Sequence, residues 1–146
     1  MPVNFLMLAR YAPKLIALTI LIGQLLYTGY WLGAEILIRS NSASYAWFSP
    51  EMVQFIQTVG PVQQLSFYLA VLLTLATLIL LLRRNRQYLT TYAVAVFLYK
   101  VDWIFAGLDG YSFIDMNGLI SLIFESACLL LLIHLFWRDR PAVKRD

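Results

Sequence analysis

The sequence predicts an all-α membrane protein in which four transmembrane helices form an antiparallel bundle with both termini in the cytoplasm. Three observations predict this fold class: a shortage of charged residues, four long apolar runs, and an uneven distribution of basic residues. Of the 146 residues, 61% are hydrophobic and 13% are charged, and the mean hydropathy is +0.72. A soluble domain carries about 25% charged residues, so this chain has too little charge to cover a surface that faces water. We expect a single membrane domain over residues 1–146.

Four apolar runs are long enough to cross a hydrocarbon core about 30 Å thick, which takes about 20 helical residues. They cover residues 15–38, 62–82, 88–108 and 118–137, and we call them spans 1 to 4. Span 1 follows two basic residues, as the core of a signal peptide does. Its apolar run is longer than the roughly 7–15 residues of a cleaved signal. We therefore expect span 1 to be retained as a transmembrane helix.

Basic residues lie mainly on one side of the predicted membrane. They lie before span 1, in the loop 83–87 and in the tail 138–146 after span 4. These residues are Arg10 and Lys14, then Arg83, Arg84 and Arg86, and finally Arg138, Arg140, Lys144 and Arg145. The loops 39–61 and 109–117 on the other side contain Arg39 as their one basic residue. Because cytoplasmic loops carry the excess of lysine and arginine, both termini are predicted to be cytoplasmic. The expected location is the cell membrane, and in a bacterium the inner membrane.

The outer loop 39–61 contains a predicted short helix over residues 50–59. Ser49 offers a helix cap and Pro50 suits the first helical position. Apolar residues then recur at helical spacing: Met52, Val53, Ile56 and Val59. This pattern favours a helix that lies on the outer membrane surface. The alternative is a lid or a loop that docks a partner, because residues 45–48 read Tyr-Ala-Trp-Phe.

A candidate intramembrane polar cluster consists of Lys100, Glu125, Asp102, Glu35 and Gln24. A charge at membrane depth costs on the order of 3 kcal/mol on insertion scales, so such groups face the bundle interior or water. Counting from the centre of the loop between spans 3 and 4 places Lys100 and Glu125 at similar depth, so we expect them to pair. Asp102 lies about 200° around the helix from Lys100. It is expected to face either the outer interface, beside Trp103, or another helix.

Glu35 lies near the outer end of span 1 and shares a face of that span with Gln24. The sequence leaves two interpretations of the whole cluster open. It could be a structural ion pair that fixes the helix register, or a binding or proton-handling site that opens outward.

Small residues mark the candidate helix-packing faces. Helices in lipid associate through close packing, and small side chains let two backbones approach. The candidate packing residues are Gly29 and Gly33 in span 1, Ser66, Ala70 and Thr74 in span 2, and Gly118 and Ser121 in span 4. In span 4 these two residues share a face with Glu125, which favours an inward orientation for that carboxylate.

The residues that carry most enzyme and cofactor chemistry are scarce in this chain. It contains one cysteine, Cys128, and one histidine, His134, so it cannot form an internal disulfide or supply two axial imidazoles to a haem. We expect no metal site and no cofactor. It also lacks the basic face with polar or aromatic residues that binds nucleic acid.

Two functions are consistent with these observations, and neither is enzymatic. The first is a non-enzymatic accessory, assembly, regulatory or immunity-type subunit that acts through helix–helix contacts with another membrane protein or with a second copy. The alternative is a small oligomeric transporter or channel that uses the charged cluster in the outer leaflet. An enzyme is disfavoured, because neither a Ser/His/Asp set nor a cysteine pair is present.

Overall fold

A computed structural model of the chain describes residues 5–40, 47–108 and 116–139. These residues form five α-helices and no strand. The helices are α1 (Phe5–Arg39), α2 (Pro50–Thr58), α3 (Pro61–Leu82), α4 (Tyr88–Leu108) and α5 (Met116–Arg138). The described part of the chain is therefore all-α, as the sequence predicts.

The four long helices correspond to the four apolar runs, with shifts at their ends. Helices α3, α4 and α5 begin and end within two residues of spans 2, 3 and 4. Helix α1 begins at Phe5 instead of residue 15 and continues through Pro13. Its 35 residues extend about 52 Å, which exceeds the roughly 30 Å of a hydrocarbon core. The predicted outer loop 109–117 and the tail 138–146 lie largely outside the described residues.

Three of the described helices are long and apolar enough to cross a membrane. They are the segments Tyr11–Arg39, Pro61–Leu82 and Leu119–Arg138. Helix α4 is not one of these three segments.

The four long helices, which we call the bundle, pack side by side. Helix α1 contacts α3 and α5, and α4 also contacts α3 and α5. All four helices contribute to one apolar core, made of Ala17, Leu21, Leu81, Tyr88, Tyr92, Cys128, Leu132 and Leu135. This core contains the end of α3 and the start of α4. It therefore lies next to the turn 83–87 that joins them, and we call this part the turn end of the bundle.

The short helix α2 lies at the opposite end and begins as its sequence predicts. The backbone N–H of Met52 donates to Ser49 Oγ at 3.2 Å, and Pro50 is the first helical residue. Its apolar face is partly covered by α1, because Ile56 is buried against Ala34 and Ile38. The helix is therefore docked on α1, in addition to any contact with a membrane surface.

Residues 45–48, which could form a lid or dock a partner, precede α2 and are described only in part. Tyr45 and Ala46 lie outside the described residues. Trp47 is 83% exposed, whereas Phe48 packs against the contact between α1 and α2. Trp47 is thus available at the surface, whereas Phe48 takes part in the packing between α1 and α2.

Candidate functional site

Lys100 of α4 and Glu125 of α5 meet inside the bundle. Lys100 Nζ forms an ion pair with Glu125 Oε2, and the Glu125 side chain is almost fully buried. Ser121, one helical turn earlier on α5, donates from its hydroxyl to Glu125 Oε1 at 3.0 Å. The Lys100 ammonium also lies 4.2 Å from the centre of the Trp103 ring. Glu125 Oε1 therefore has a hydrogen-bond donor, whereas Oε2 and Lys100 Nζ face each other as an ion pair and make no hydrogen bond of normal geometry among the described residues.

Asp102 turns away from this pair toward α1 and α3. Its carboxylate interacts with the side chain of Gln63 and with the negative charge of Glu35. Gln63 is buried, and its Nε2 makes no hydrogen bond of normal geometry among the described residues. Of the two orientations expected for Asp102, the structure has the one toward another helix. The aromatic ring of Trp103 contacts Lys100 instead.

Glu35 is paired on its own helix and does not join Lys100 and Glu125. Arg39 Nε donates to Glu35 Oε1 at 2.9 Å. Arg39 Nη2 donates to the carbonyl oxygens of Ile56 and Val59, at 3.1 and 3.2 Å. These carbonyls lie at the C-terminal end of α2, where backbone acceptors lack helical partners and a cation is favourable. Arg39 thus joins a buried carboxylate to the end of the short helix.

Gln24 belongs to a separate set of hydrogen bonds between the helices. Tyr92 of α4 donates from its hydroxyl to Gln24 Oε1 at 2.9 Å. Tyr99, two turns further along α4, lies 3.3 Å from the hydroxyl of Thr74 on α3 and also interacts with Thr28 on α1. The buried polar atoms of α4 therefore link it to α1 and to α3.

Sequence reasoning missed the two tyrosines as members of the interior. The signal was present, because Tyr88, Tyr92, Ala95 and Tyr99 follow one another at spacings of four, three and four. All four residues are buried. Because tyrosine is typical of membrane interfaces, a tyrosine in a membrane helix is first interpreted as interfacial. Its role as a buried hydrogen-bonding residue is then easily missed.

A groove of about 390 Å³ lies between α1 and α5 and is open on one side. Its polar lining consists of Gln24, Ser121 and Glu125. The remaining wall is largely apolar and aromatic, formed by Thr19, Ile20, Gly23, Tyr27, Ile120 and Phe124. The groove thus brings three predicted site residues together beside the ion pair, whereas Asp102 and Glu35 lie outside its lining.

The small residues of α3 and α1 have different surroundings. The stripe on α3 faces the bundle, since Ser66, Ala70 and Thr74 are all buried. A Cβ atom added at Gly29 or Gly33 would meet no heavy atom within 4 Å. Within the described residues these glycines therefore make no close contact with another helix. The surroundings of Gly118 lie outside the described side chains.

Among the described residues, no group of three or more histidine, cysteine, aspartate or glutamate side chains is arranged to hold a metal ion. Cys128 is buried in the apolar core. Comparisons with protein families, curated proteins and solved structures found no match. Functional proposals for this chain therefore depend on its own residues.

Proposed function

We propose that this protein is a small four-span membrane subunit, with both termini in the cytoplasm, that acts without enzymatic activity through helix–helix contacts. Its role is that of an accessory, assembly, regulatory or immunity-type protein. The observation that carries the proposal is the unpacked glycine face of α1. A helix with small residues at close-packing spacing, and with no close contact to them from the described residues, is suited to contact another chain.

The exposed face of α1 has the composition of a helix-packing surface. Gly29 and Gly33 are one turn apart, and neither has a neighbouring heavy atom where a side chain would begin. Leu26 and Tyr30 on either side of them are 72% and 58% exposed. A second helix that approached the glycines would also cover these two large side chains.

The arrangement of the charged groups favours this function over one that moves ions. Glu125 is paired with Lys100, and Glu35 is paired with Arg39. The first pair joins α4 to α5 and the second lies within α1, and in each pair a cation faces a carboxylate of the same chain. Such pairs suit a rigid scaffold whose helix register is fixed, and the exposed surface is then left for recognition.

Purification in a mild detergent, with leucine substitutions on α1, tests the proposal. We expect the wild-type protein to carry a stoichiometric partner, either another membrane protein or a second copy, and Gly29→Leu to release it. The fold should persist, because the space at Gly29 is open. Ala93→Leu, at an exposed small residue of α4, is the matched control and should keep the partner. A wild-type monomer without any partner would contradict the proposal.

The groove between α1 and α5 supports a second candidate, the small oligomeric transporter or channel. It places a buried carboxylate beside an opening of about 390 Å³. Reconstitution in vesicles distinguishes this candidate, because it requires a pH-dependent flux that Glu125→Gln abolishes. An accessory subunit gives no flux in either form.

A further inference from the structure

The turn between α3 and α4 exposes a cluster of arginines, which we call the basic turn (residues 83–86). Arg83, Arg84, Asn85 and Arg86 are all exposed. Lys14 lies at the same end of the bundle, because Ala17, one turn later on α1, packs in the core with Leu81 and Tyr88. A positive surface therefore covers this end of the described chain.

The backbone of the basic turn is strained at Arg84. The N–H of Arg84 donates to Leu81 O at 3.3 Å, and the N–H of Asn85 donates to Leu80 O at 2.9 Å. These two bonds form the Schellman motif that ends many helices, and its central position is left-handed. Arg84 occupies that position with φ 56°. Glycine or asparagine would fit there with less strain, so the local fold gives no reason for an arginine.

Arg86 fastens the basic turn to the end of α5. Its Nη2 donates to the carbonyl oxygen of Asp139, and its guanidinium lies 5.6 Å from the centre of the Phe136 ring. Asp139 is the acidic residue at this end among the described residues, and its carboxylate accepts from Arg138 Nε at 3.2 Å. Arg83 and Arg84 therefore have no acidic partner among the described residues. Both residues are also exposed.

The basic turn also lies where the apolar surface of the bundle ends. Leu82, directly before it, is 56% exposed, and Trp137 on α5 is 58% exposed. A tryptophan beside an apolar belt is typical of the headgroup level of a membrane. At that level an exposed guanidinium meets lipid phosphates, which it can bind through two parallel hydrogen bonds.

We propose that the basic turn binds the phosphate of anionic membrane lipids, with Arg84 and Arg83 as the contacting residues. The turn that Arg86 holds in place presents these two side chains at headgroup depth. This inference depends on the membrane embedding in the proposed function, but not on the accessory role. Loss of lipid binding and loss of a protein partner are therefore separate outcomes.

Native mass spectrometry in mild detergent tests the proposal by titrating the full chain with phosphatidylglycerol or with zwitterionic phosphatidylcholine. We expect phosphatidylglycerol to bind more tightly. Because each arginine near an anionic surface contributes about a fivefold change in affinity, Arg84→Asn should weaken that binding about fivefold. Arg84→Lys keeps the charge but loses the two parallel hydrogen bonds, so its binding should lie between that of the wild type and that of Arg84→Asn. A parallel titration with inorganic phosphate shows whether a free anion competes.

Gln57→Glu is the matched control, because it lowers the net charge by the same one unit at an exposed position of α2. It should leave phosphatidylglycerol binding unchanged. An equal loss in Gln57→Glu would show a general charge effect and overturn the proposal. Unaltered phosphatidylglycerol binding in Arg84→Asn would also overturn the proposal. So would inorganic phosphate that binds the protein as tightly as phosphatidylglycerol does.

A second readout separates lipid binding from a purely structural role of Arg84. Asparagine tolerates the left-handed conformation, so Arg84→Asn should unfold at the same or a higher temperature than the wild type without added lipid. The reactivity of buried Cys128 toward a thiol dye reports that temperature. A lowered temperature would assign Arg84 to the fold and would also overturn the proposal.

Discussion

At the scale of single residues, the Lys100–Glu125 pair shows how a charge is kept inside an apolar bundle. Glu125 Oε2 faces the Lys100 ammonium, while Oε1 accepts from Ser121. The ammonium also lies over the ring of Trp103, which attracts a cation through its electron-rich face. The two opposite charges are thus compensated mainly by each other, and the removal of one partner would leave the other one poorly solvated.

A double-mutant cycle on this pair follows from that environment. Removing one partner of a buried pair costs about 3–5 kcal/mol, whereas replacing both by apolar residues is often close to neutral. We therefore expect Lys100→Met and Glu125→Leu each to destabilise the protein by about 3 kcal/mol. The double variant should recover most of that loss. Thermal unfolding in detergent, followed by dye labelling of Cys128, measures the change in each variant.

The control for the cycle is Lys14→Met, the same replacement outside the pair, which should leave the unfolding temperature nearly unchanged. Contacting residues couple, while independent sites give additive effects. If the losses of the two single variants simply add in the double variant, Lys100 and Glu125 do not stabilise each other.

At the scale of the elements, Arg39 couples the short helix α2 to the bundle. Its guanidinium contacts the Glu35 carboxylate and two carbonyl oxygens at the end of α2. The remaining contact is apolar, where Ile56 packs on Ala34 and Ile38. The polar contacts of Arg39 and the apolar contacts with α1, including the edge contact of Trp31 with Phe55, hold a helix of nine residues. A helix of that length is too short to be stable alone in water.

Arg39→Met is therefore expected to loosen α2 selectively. Hydrogen bonds to a charged group contribute about 1.5–3 kcal/mol each, so the loss should expose the amides of residues 50–58 to faster hydrogen exchange. The apolar core at the turn end is remote from Arg39 and should exchange as in the wild type. Hydrogen exchange followed by mass spectrometry of peptides measures both regions in one experiment.

Arg39→Lys serves as the matched variant, because it keeps the charge and loses the forked geometry that reaches three acceptors. Its effect on α2 should be intermediate. Equal exchange in α2 for the methionine variant and the wild type would show that the apolar packing of α2 on α1 retains the helix without Arg39.

The elements also show which features a single sequence can predict. Apolar length places the four long helices, and the Ser49-Pro50 pair places α2, because both signals are local in the chain. The start of α1 at Phe5 is missed, since hydropathy marks the part of a helix within the lipid and not the turns beyond it. The partner of Asp102 is also missed, because it depends on which helices are neighbours. Helical spacing shows only that Asp102 and Lys100 point apart.

At the scale of the whole molecule, the tyrosine face of α4 shows how a helix that also carries Lys100 and Asp102 packs against its neighbours. Tyr92 and Tyr99 donate to or contact polar groups on α1 and α3, and Lys100 pairs with α5. Polar groups in lipid are stable where a neighbouring helix satisfies them. The interior polar contacts of α4 therefore support its inclusion in the membrane as a fourth span.

The number of spans predicts which side of the membrane each end of the bundle faces. With four spans, Gln87 and Asp139 lie on the same side, whereas with three spans they lie on opposite sides. Arg86 contacts the backbone of Asp139, so these two segments lie together, as they do in the four-span arrangement that we propose. We expect single cysteines at Gln87 and Asp139, in a Cys128→Ala background, to react with an impermeant maleimide only after the cells are permeabilised. A cysteine at Gln57 on α2 should react in intact cells, and Cys128→Ala alone should not react. Labelling of Asp139→Cys but not of Gln87→Cys in intact cells would place α4 outside the membrane and contradict the four-span arrangement.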